Sequence, residues 1–303
     1  MIRRDIIRQV DGSSCLLRYQ IAALEPLPLH VVEAPGAGPP LVILHSLTGS
    51  HAEFVHLVPG LCAQAQSYLL DLRGHGQSGR VEQGYHLADY GRDVATFVQQ
   101  VVRQPAVLLG HSLGGLVALW VAANAPHLLR GLVLAEPLLT TLQMPHFRET
   151  TMYAAFLSLR SELRRYYANG ASLEQLITFV EQSPVDVKRT MLDSATPEAI
   201  CMRAIQLHQL DPAVLEPVLA GTLLEPDQPD ALLSQVSCPV HLLVGQAQPG
   251  TLVAVSDVQR ALAQMPHGTH TSIAGAGHAL HLEQPEAVMH EVVQFLVRLH
   301  AGT

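Results

Sequence analysis

No cluster of lysine and arginine occurs in this sequence, and its formal net charge is −8. The densest basic run near a terminus is Arg3, Arg4 and Arg8, which reads as a solvated first strand. A nucleic-acid surface needs a basic stripe, so no nucleic-acid partner is expected. Long apolar runs are lacking too. "LGGLVALWVAANAP" (113–126) falls short of the roughly 18 uncharged residues that make a spanning helix. "MIRRDIIRQVDGSS" at the N-terminus carries charge but no apolar segment of a secretory signal. Cysteine is scarce: Cys15, Cys62, Cys201 and Cys238 are far apart and match no zinc spacing, so they read as ordinary thiols in a reducing cytoplasm. Histidines are many but scattered. The nearest grouping, His267, His270, His278 and His281, lacks neighbouring ligands at a metal-site spacing. Phosphate loops, dinucleotide fingerprints, internal repeats and low-complexity segments are all missing, so no cofactor and no metal are implied.

What remains is a chain rich in apolar residues, 48% of the total, with only 15% charged. Such a composition folds rather than staying disordered, and 303 residues suffice for one large α/β domain or a core with an insertion. Short runs dense in Val, Leu and Ile alternate with helical patterns, which predicts a mostly parallel sheet covered on both faces. The strand candidates are "PLVILHS" (40–46), "SYLLDLRG" (67–74), "AVLLGHS" (106–112), "GLVLAEP" (131–137) and "VHLLVGQ" (240–246). Segments near 14–21 and 28–34 read as an antiparallel edge pair, and "HTSIAGAGH" (270–278) supplies a last strand and loop. Helices are expected around 87–102, 113–125, 256–265 and 285–300.

The alternation stops between about 138 and 235. Helix-start signals take over: Ser172 with Gln175 three residues on, then Thr196-Pro197 and Asp211-Pro212. Residues 1–137 and 236–303 are therefore expected to form a discontinuous core, with 138–235 inserted as a helical cap. Such a cap would lie over the C-terminal edge of the sheet, where open α/β sheets bind ligands. Its Met144, Phe147, Met152, Phe156, Leu157, Leu159, Leu176, Ile177 and Phe179 recur at helical spacings, so most should be core and a minority should line an apolar pocket.

"LLGHSLGGL" (108–116) reads as strand, sharp turn and helix start, with Gly110, Ser112 and Gly114 in a G-x-S-x-G pattern. The serine takes a strained backbone turn, and small residues two positions either side let strand and helix approach. Its hydroxyl then projects above the sheet, beside the Leu113 N–H that opens a helix.

With this motif in place, the chain resembles the α/β-hydrolase superfamily over essentially its whole length. "LHSLTGS" (44–50) is similar to the family's oxyanion loop, "DLRGHGQS" (71–78) to its turn after the fourth strand, and "GAGHALHLEQPE" (275–286) to the loop of its catalytic histidine. The resemblance implies the α/β-hydrolase fold, with an eight-stranded, mostly parallel sheet. It also implies Ser112 as nucleophile, His278 as general base, and the backbone N–H groups of Leu47 and Leu113 as oxyanion donors. A serine hydroxyl is protonated at neutral pH, so an imidazole must take its proton during attack. Ser46 stands where the family usually has glycine, which leaves a main-chain donor but bears on the loop's conformation. His281 is the rival base, while Glu283 reads as support for the histidine turn. His75 and His111 read as flanking residues, and Asp71 and Arg73 as turn-fixing.

Family members most often carry the acid just beyond a glycine such as Gly245. Here that window, three or four residues on, is Gln248-Pro249, with Gln246 before it. Asp257 lies farther on, where Ser256 and Asp257 look like a helix cap and first-turn charge. A second family position, used by haloalkane dehalogenases among others, follows the sixth strand, and "GLVLAEPLL" (131–139) places Glu136 there. A carboxylate directly after a buried apolar strand needs a partner. The expectation is a cytoplasmic serine hydrolase of esterase type, Ser112–His278–Glu136, acting on a small, largely apolar molecule without a cofactor. A small-molecule receptor on the same scaffold and a lyase or perhydrolase-type enzyme remain the competing readings.

Overall fold

A computed structural model of the chain describes residues 3–10, 13–170, 172–184, 188–246 and 250–301, with residues 3–10, 13 and 14 described by backbone alone. Among these, nine strands form one sheet in the order β1-β2-β3-β5-β4-β6-β7-β8-β9. They are β1 (Arg3–Val10), β2 (Ser13–Ala22), β3 (Leu29–Ala34), β4 (Pro40–Leu44), β5 (Gln66–Leu70), β6 (Ala106–His111), β7 (Leu129–Ala135), β8 (Val240–Gly245) and β9 (Gly268–Ile273). The eight strands expected are all present. The ninth, β1, pairs antiparallel with β2 and takes the edge of the sheet. From β5 to β9 every neighbouring pair is parallel.

The central strands are buried end to end: every residue of β4, β6 and β8 is buried. Successive side chains of a strand point to opposite faces, so each strand feeds two apolar layers. Leu41 and Ile43 join Val107, Leu109, Val133 and Leu243 in one, against Val288, Val292 and Phe295 of the Pro285–Ala301 helix. Val42 and Leu44 join Leu108, Leu132, Leu134 and Leu242 in the other, against the Leu87–Phe97 and Leu113–Asn124 helices. The second of these helices has an apolar residue or glycine on nearly every side and is buried through Ala122, as a helix packed between other elements must be. The sequence-distant thiols of Cys15 and Cys62 meet at 3.0 Å in the first layer.

Between β7 and β8 the described residues hold helices and a single isolated bridge, Pro184 to Thr190. The start signals act as expected. Gln175 accepts from the Ser172 N–H at 2.9 Å, Thr196 caps Ala199 N–H, and Asp211 accepts from Ala213 N–H at 2.9 Å. Phe147, Leu159 and Leu176 are buried, while Met144, Met152, Phe156, Leu157, Ile177 and Phe179 are partly buried and pack against the same apolar layer. No helix among the described residues is long and apolar enough to cross a membrane.

Candidate active site

Two adjacent parallel strands deliver two unusual residues side by side. His111 of β6 is in register with Ala135 of β7, so Ser112 and Glu136 leave the sheet together. Both have left-handed backbones, φ +56° at Ser112 and +47° at Glu136, where non-glycine residues are uncommon. The turn at Ser112 forces strand and helix together. A Cβ on Gly110 would strike the Gly114 carbonyl, and one on Gly114 would strike the carbonyls of Leu44 and His45. The glycine spacing is thus required by backbone contact, and it also presses the helix N-terminus against the loop after β4. Ser112 is 3% exposed, and its hydroxyl makes no hydrogen bond among the described residues.

Glu136 has no exposed surface and collects four donors. Oε1 accepts from Gly245 N–H at 2.8 Å and Thr251 Oγ1 at 2.5 Å. Oε2 accepts from Leu252 N–H at 2.8 Å and faces His278 Nδ1 at 3.3 Å. Burial by itself would raise the carboxyl's pKa, but the contacts with His278, Thr251, Leu252 and Gly245 hold it below its ordinary value. With Nδ1–H turned to the carboxylate, Nε2 of His278 carries the basic lone pair. The His278 carbonyl accepts from His111 Nε2 at 2.8 Å, which gives His111 a supporting place.

The loop after β8 therefore contributes donors instead of an acid. Gln246 is exposed, Gln248 and Pro249 lie outside the described residues, and Thr251 and Leu252 hold Glu136. Asp257 caps: Oδ2 accepts from Ala254 N–H at 3.2 Å and from Thr140 Oγ1 at 2.9 Å. The helix begins at Val255, so Ser256 lies inside its first turn and is not the cap.

Leu47 sits in a tight turn after β4, closed by Gly49 N–H donating to Ser46 O at 3.1 Å. Each neighbour in the turn is tied. His45 Nε2 accepts from Leu72 N–H at 3.0 Å, so its Nδ1 bears the hydrogen and donates to Ser46 O at 2.7 Å. Burial, together with nearby His75, pushes His45 down to about 3, which keeps it neutral in that tautomer. His75 Nε2 lies 2.7 Å from Leu47 O. Ser46, the departure from glycine, donates from its backbone N–H at 3.3 Å and its hydroxyl at 3.0 Å to buried Glu53. Burial raises the Glu53 pKa despite these donors. The N–H groups of Leu47 and Leu113 have no acceptor among the described residues, and both residues are buried.

His281 is 1% exposed, stacks on Phe54 with centroids 4.3 Å apart, and has no hydrogen-bond partner on either nitrogen. Burial drives it down to about 3, a packed neutral ring poorly suited to accept a proton. Glu283 accepts from Gly277 and Ala279 N–H at 2.7 and 3.2 Å and so braces the His278 turn. Asp71 ties His30, His51 and Gln77 N–H, and Arg73 forks onto Asp93, both turn-fixing as expected. Two groups could hold a metal ion among the described residues, each with donor atoms within 4.8 Å: His30, His51 and Asp71, and Glu53, His111 and His281. His267 and His270 belong to neither. A surface cleft of about 710 Å³, lined by Glu162, Tyr166, Gln175 and Phe179 among others, contains none of these residues.

The sequence reading missed Thr251 and the N–H groups of Gly245 and Leu252 around Glu136, and missed His45, Glu53 and Arg203 around the turn. For the backbone donors no sequence signal exists, because every residue offers an N–H. For Glu53, the serine in place of glycine at position 46 was the available clue.

Residues 39–181 match the family described as alpha/beta hydrolase fold. The pimeloyl-[acyl-carrier protein] methyl ester esterase of Xylella fastidiosa (strain M23) is 30% identical over 237 residues, 67% of this chain and 88% of that protein. The 2-(acetamidomethylene)succinate hydrolase of Mesorhizobium japonicum is 36% identical over 102 residues, a match spanning 34% of this chain and 37% of that enzyme. Among solved structures, an N-formylmaleamic acid deformylase from Pseudomonas putida S16 superposes with a TM-score of 0.73 at 20% identity, covering 90% of this chain and 99% of that one. That last likeness is one of fold.

Proposed function

The chain belongs to the α/β-hydrolase family of enzymes, and on that premise we propose that it is a serine hydrolase cleaving an ester or related acyl bond of a small molecule. Ser112 is the nucleophile, His278 the base that takes its proton, and Glu136 the acid that fixes the imidazole's tautomer. Attack on the acyl carbonyl places negative charge on its oxygen, and the N–H groups of Leu47 and Leu113 receive it. The imidazolium then gives its proton to the leaving alcohol. Water activated by the same histidine frees the acid and restores Ser112.

The observation that carries this reading is the Glu136–His278 contact at 3.3 Å, beside a serine held in a left-handed turn. Four donors on Glu136 keep it ionised and fixed in place, which is what an orienting acid requires. Residues 138–235 act as a cap over the site, and its apolar side chains favour an uncharged, hydrophobic acyl group in a cytoplasmic enzyme. A serine at the elbow opposes epoxide or haloalkane chemistry, which in this superfamily begins with an aspartate there.

A labelled fluorophosphonate tests the reading. Rapid, stoichiometric labelling of Ser112 is expected, lost in Ser112→Ala, together with turnover on a panel of acyl esters of varied chain length. Very slow labelling without turnover would favour a small-molecule receptor. Clear preference for charged over neutral esters would overturn the substrate assignment.

A further inference from the structure

The turn that carries Leu47 is wired to a cation from the inserted segment. Arg203 lies on the Pro197–His208 helix. Its Nη1 donates to the Thr48 carbonyl at 2.7 Å and its Nη2 to Thr48 Oγ1 at 2.8 Å. The Thr48 carbonyl and the Gly49 N–H are two ends of one planar peptide unit. That N–H donates to the Ser46 carbonyl at 3.1 Å. The Ser46 carbonyl is in turn the other end of the peptide unit that bears the Leu47 N–H. A continuous path therefore runs from the guanidinium, through two peptide units and one hydrogen bond, to a donor with no acceptor of its own.

We propose that Arg203 is a positioning residue for the oxyanion donor, aiming and polarising the Leu47 N–H through the 48–49 and 46–47 peptide units. The proposal rests on the reading of Leu47 as an oxyanion donor in a serine hydrolase. Rigid peptide planes give the geometric half: with the Thr48 and Ser46 carbonyls both held, the Leu47 N–H has little freedom to swing. Polarisation gives the electrical half. A cation pulling on one carbonyl makes that peptide's N–H a stronger donor, and each bond in such a chain strengthens the next by roughly 10–30%.

Arg203 forms no ion pair with a carboxylate among the described residues, so its charge is not cancelled at contact. His45, Glu53 and His75 also hold this turn, at the Ser46 carbonyl, at Ser46 N–H and hydroxyl, and at the Leu47 carbonyl, but all belong to the core. Of these four, only Arg203 comes from the segment between β7 and β8. Movement of that segment would consequently be felt at the oxyanion donor.

A residue that merely stapled the segment to the core would cost thermal stability and leave the chemical step alone. The test separates these roles with Arg203→Met, Arg203→Lys and Thr48→Val. Each is assayed for kcat and KM on a p-nitrophenyl ester and for inhibition by a trifluoromethyl ketone, whose adduct places an oxyanion in the same hole. Wild-type labelling of Ser112 by fluorophosphonate comes first, since its absence would defeat the serine-hydrolase reading itself.

Losing a whole oxyanion donor typically lowers turnover by about 10²–10³, which sets the ceiling. Arg203→Met is expected to lower kcat by at least about tenfold with KM within about threefold, and to weaken the ketone in parallel. Arg203→Lys, which keeps the charge but not the fork, and Thr48→Val, which removes one of the fork's two acceptors, should both fall in between. An unchanged kcat in Arg203→Met overturns the proposal. So does a raised KM with kcat retained, which would make the guanidinium a substrate contact. Should Arg203→Met not fold, Arg203→Lys carries the test: its kcat must drop with KM unchanged, and a wild-type kcat refutes the role.

Discussion

Replacing Glu136 by glutamine exchanges one carboxylate oxygen for an NH2 group and should cost nearly all turnover. The four donors divide evenly: Gly245 N–H and Thr251 hydroxyl on Oε1, Leu252 N–H and His278 Nδ1 on Oε2. An amide has one oxygen, so its NH2 must face one of these pairs. If it faces the first pair, the threonine hydroxyl can turn and accept, but Gly245 N–H meets another donor, and the imidazolium formed on His278 faces a neutral amide oxygen in place of the carboxylate that would stabilise it. If it faces the second, Leu252 N–H meets a donor and His278 must present a lone pair at Nδ1. That moves the imidazole hydrogen to Nε2 and leaves no base for Ser112. A buried donor left without an acceptor costs about 1–3 kcal/mol of stability, and in a well-studied serine protease the equivalent acid-to-amide change lowers kcat by about 10⁴ through the wrong tautomer. Steady-state hydrolysis of a p-nitrophenyl ester, with circular dichroism melting on the same samples, measures both. A folded Glu136→Gln protein retaining kcat within about tenfold of wild type would refute Glu136 as the orienting acid. The same substitution probes acid stability. Because the folded pKa of Glu136 is depressed, its contribution is present above the ordinary carboxylate value and lost as pH falls through the folded one. Wild type should therefore lose more stability than the variant below about pH 4.5.

Leu47→Pro, which deletes the proposed oxyanion N–H, should lower kcat by about 10²–10³, while Leu47→Met keeps most activity; equal rates in both would place the donor elsewhere in the loop. Asp257→Asn should leave kcat unchanged and cost about 0.3–1 kcal/mol of melting stability as a weakened helix-end charge; a large activity loss would reopen the choice of acid. His281→Phe should stabilise the protein increasingly on acidification. A histidine with its folded pKa depressed to about 3 contributes fully only above its unfolded value near 6.5, and by pH 5 the difference amounts to about 2 kcal/mol. Denaturant melts at pH 8 and pH 5 measure it, and a stability difference that does not change with pH would contradict the neutral buried ring.

The strands of the sheet centre were readable because burial on both faces leaves a run of Val, Leu and Ile with nothing else to explain it, as in "PLVIL" and "AVLLGH". The elbow was readable for a similar reason: backbone contact at Gly110 and Gly114 permits only one residue type. β1 was harder. Its run RRDIIRQV shows no alternation, so only its basic residues suggested a solvated strand, and its place depends on β2 offering a free edge.

Ser112, His278 and Glu136 were legible as candidates through the family resemblance of the motifs that hold them, and the fold brings Glu136 and His278 to 3.3 Å. What the sequence by itself determined, then, is whatever local backbone sterics and periodicity dictate: the strand interiors, the helix starts at Ser172, Thr196 and Asp211, and the residue types at the elbow. Tertiary structure decided the rest. Only the folded sheet brings Thr251 and Leu252 to Glu136, sets Glu53 against Ser46, and lays Arg203 on Thr48 across 155 positions of chain. Hydrogen bonds between distant segments leave no periodic trace, because the partners need only the right atom at the right point in space.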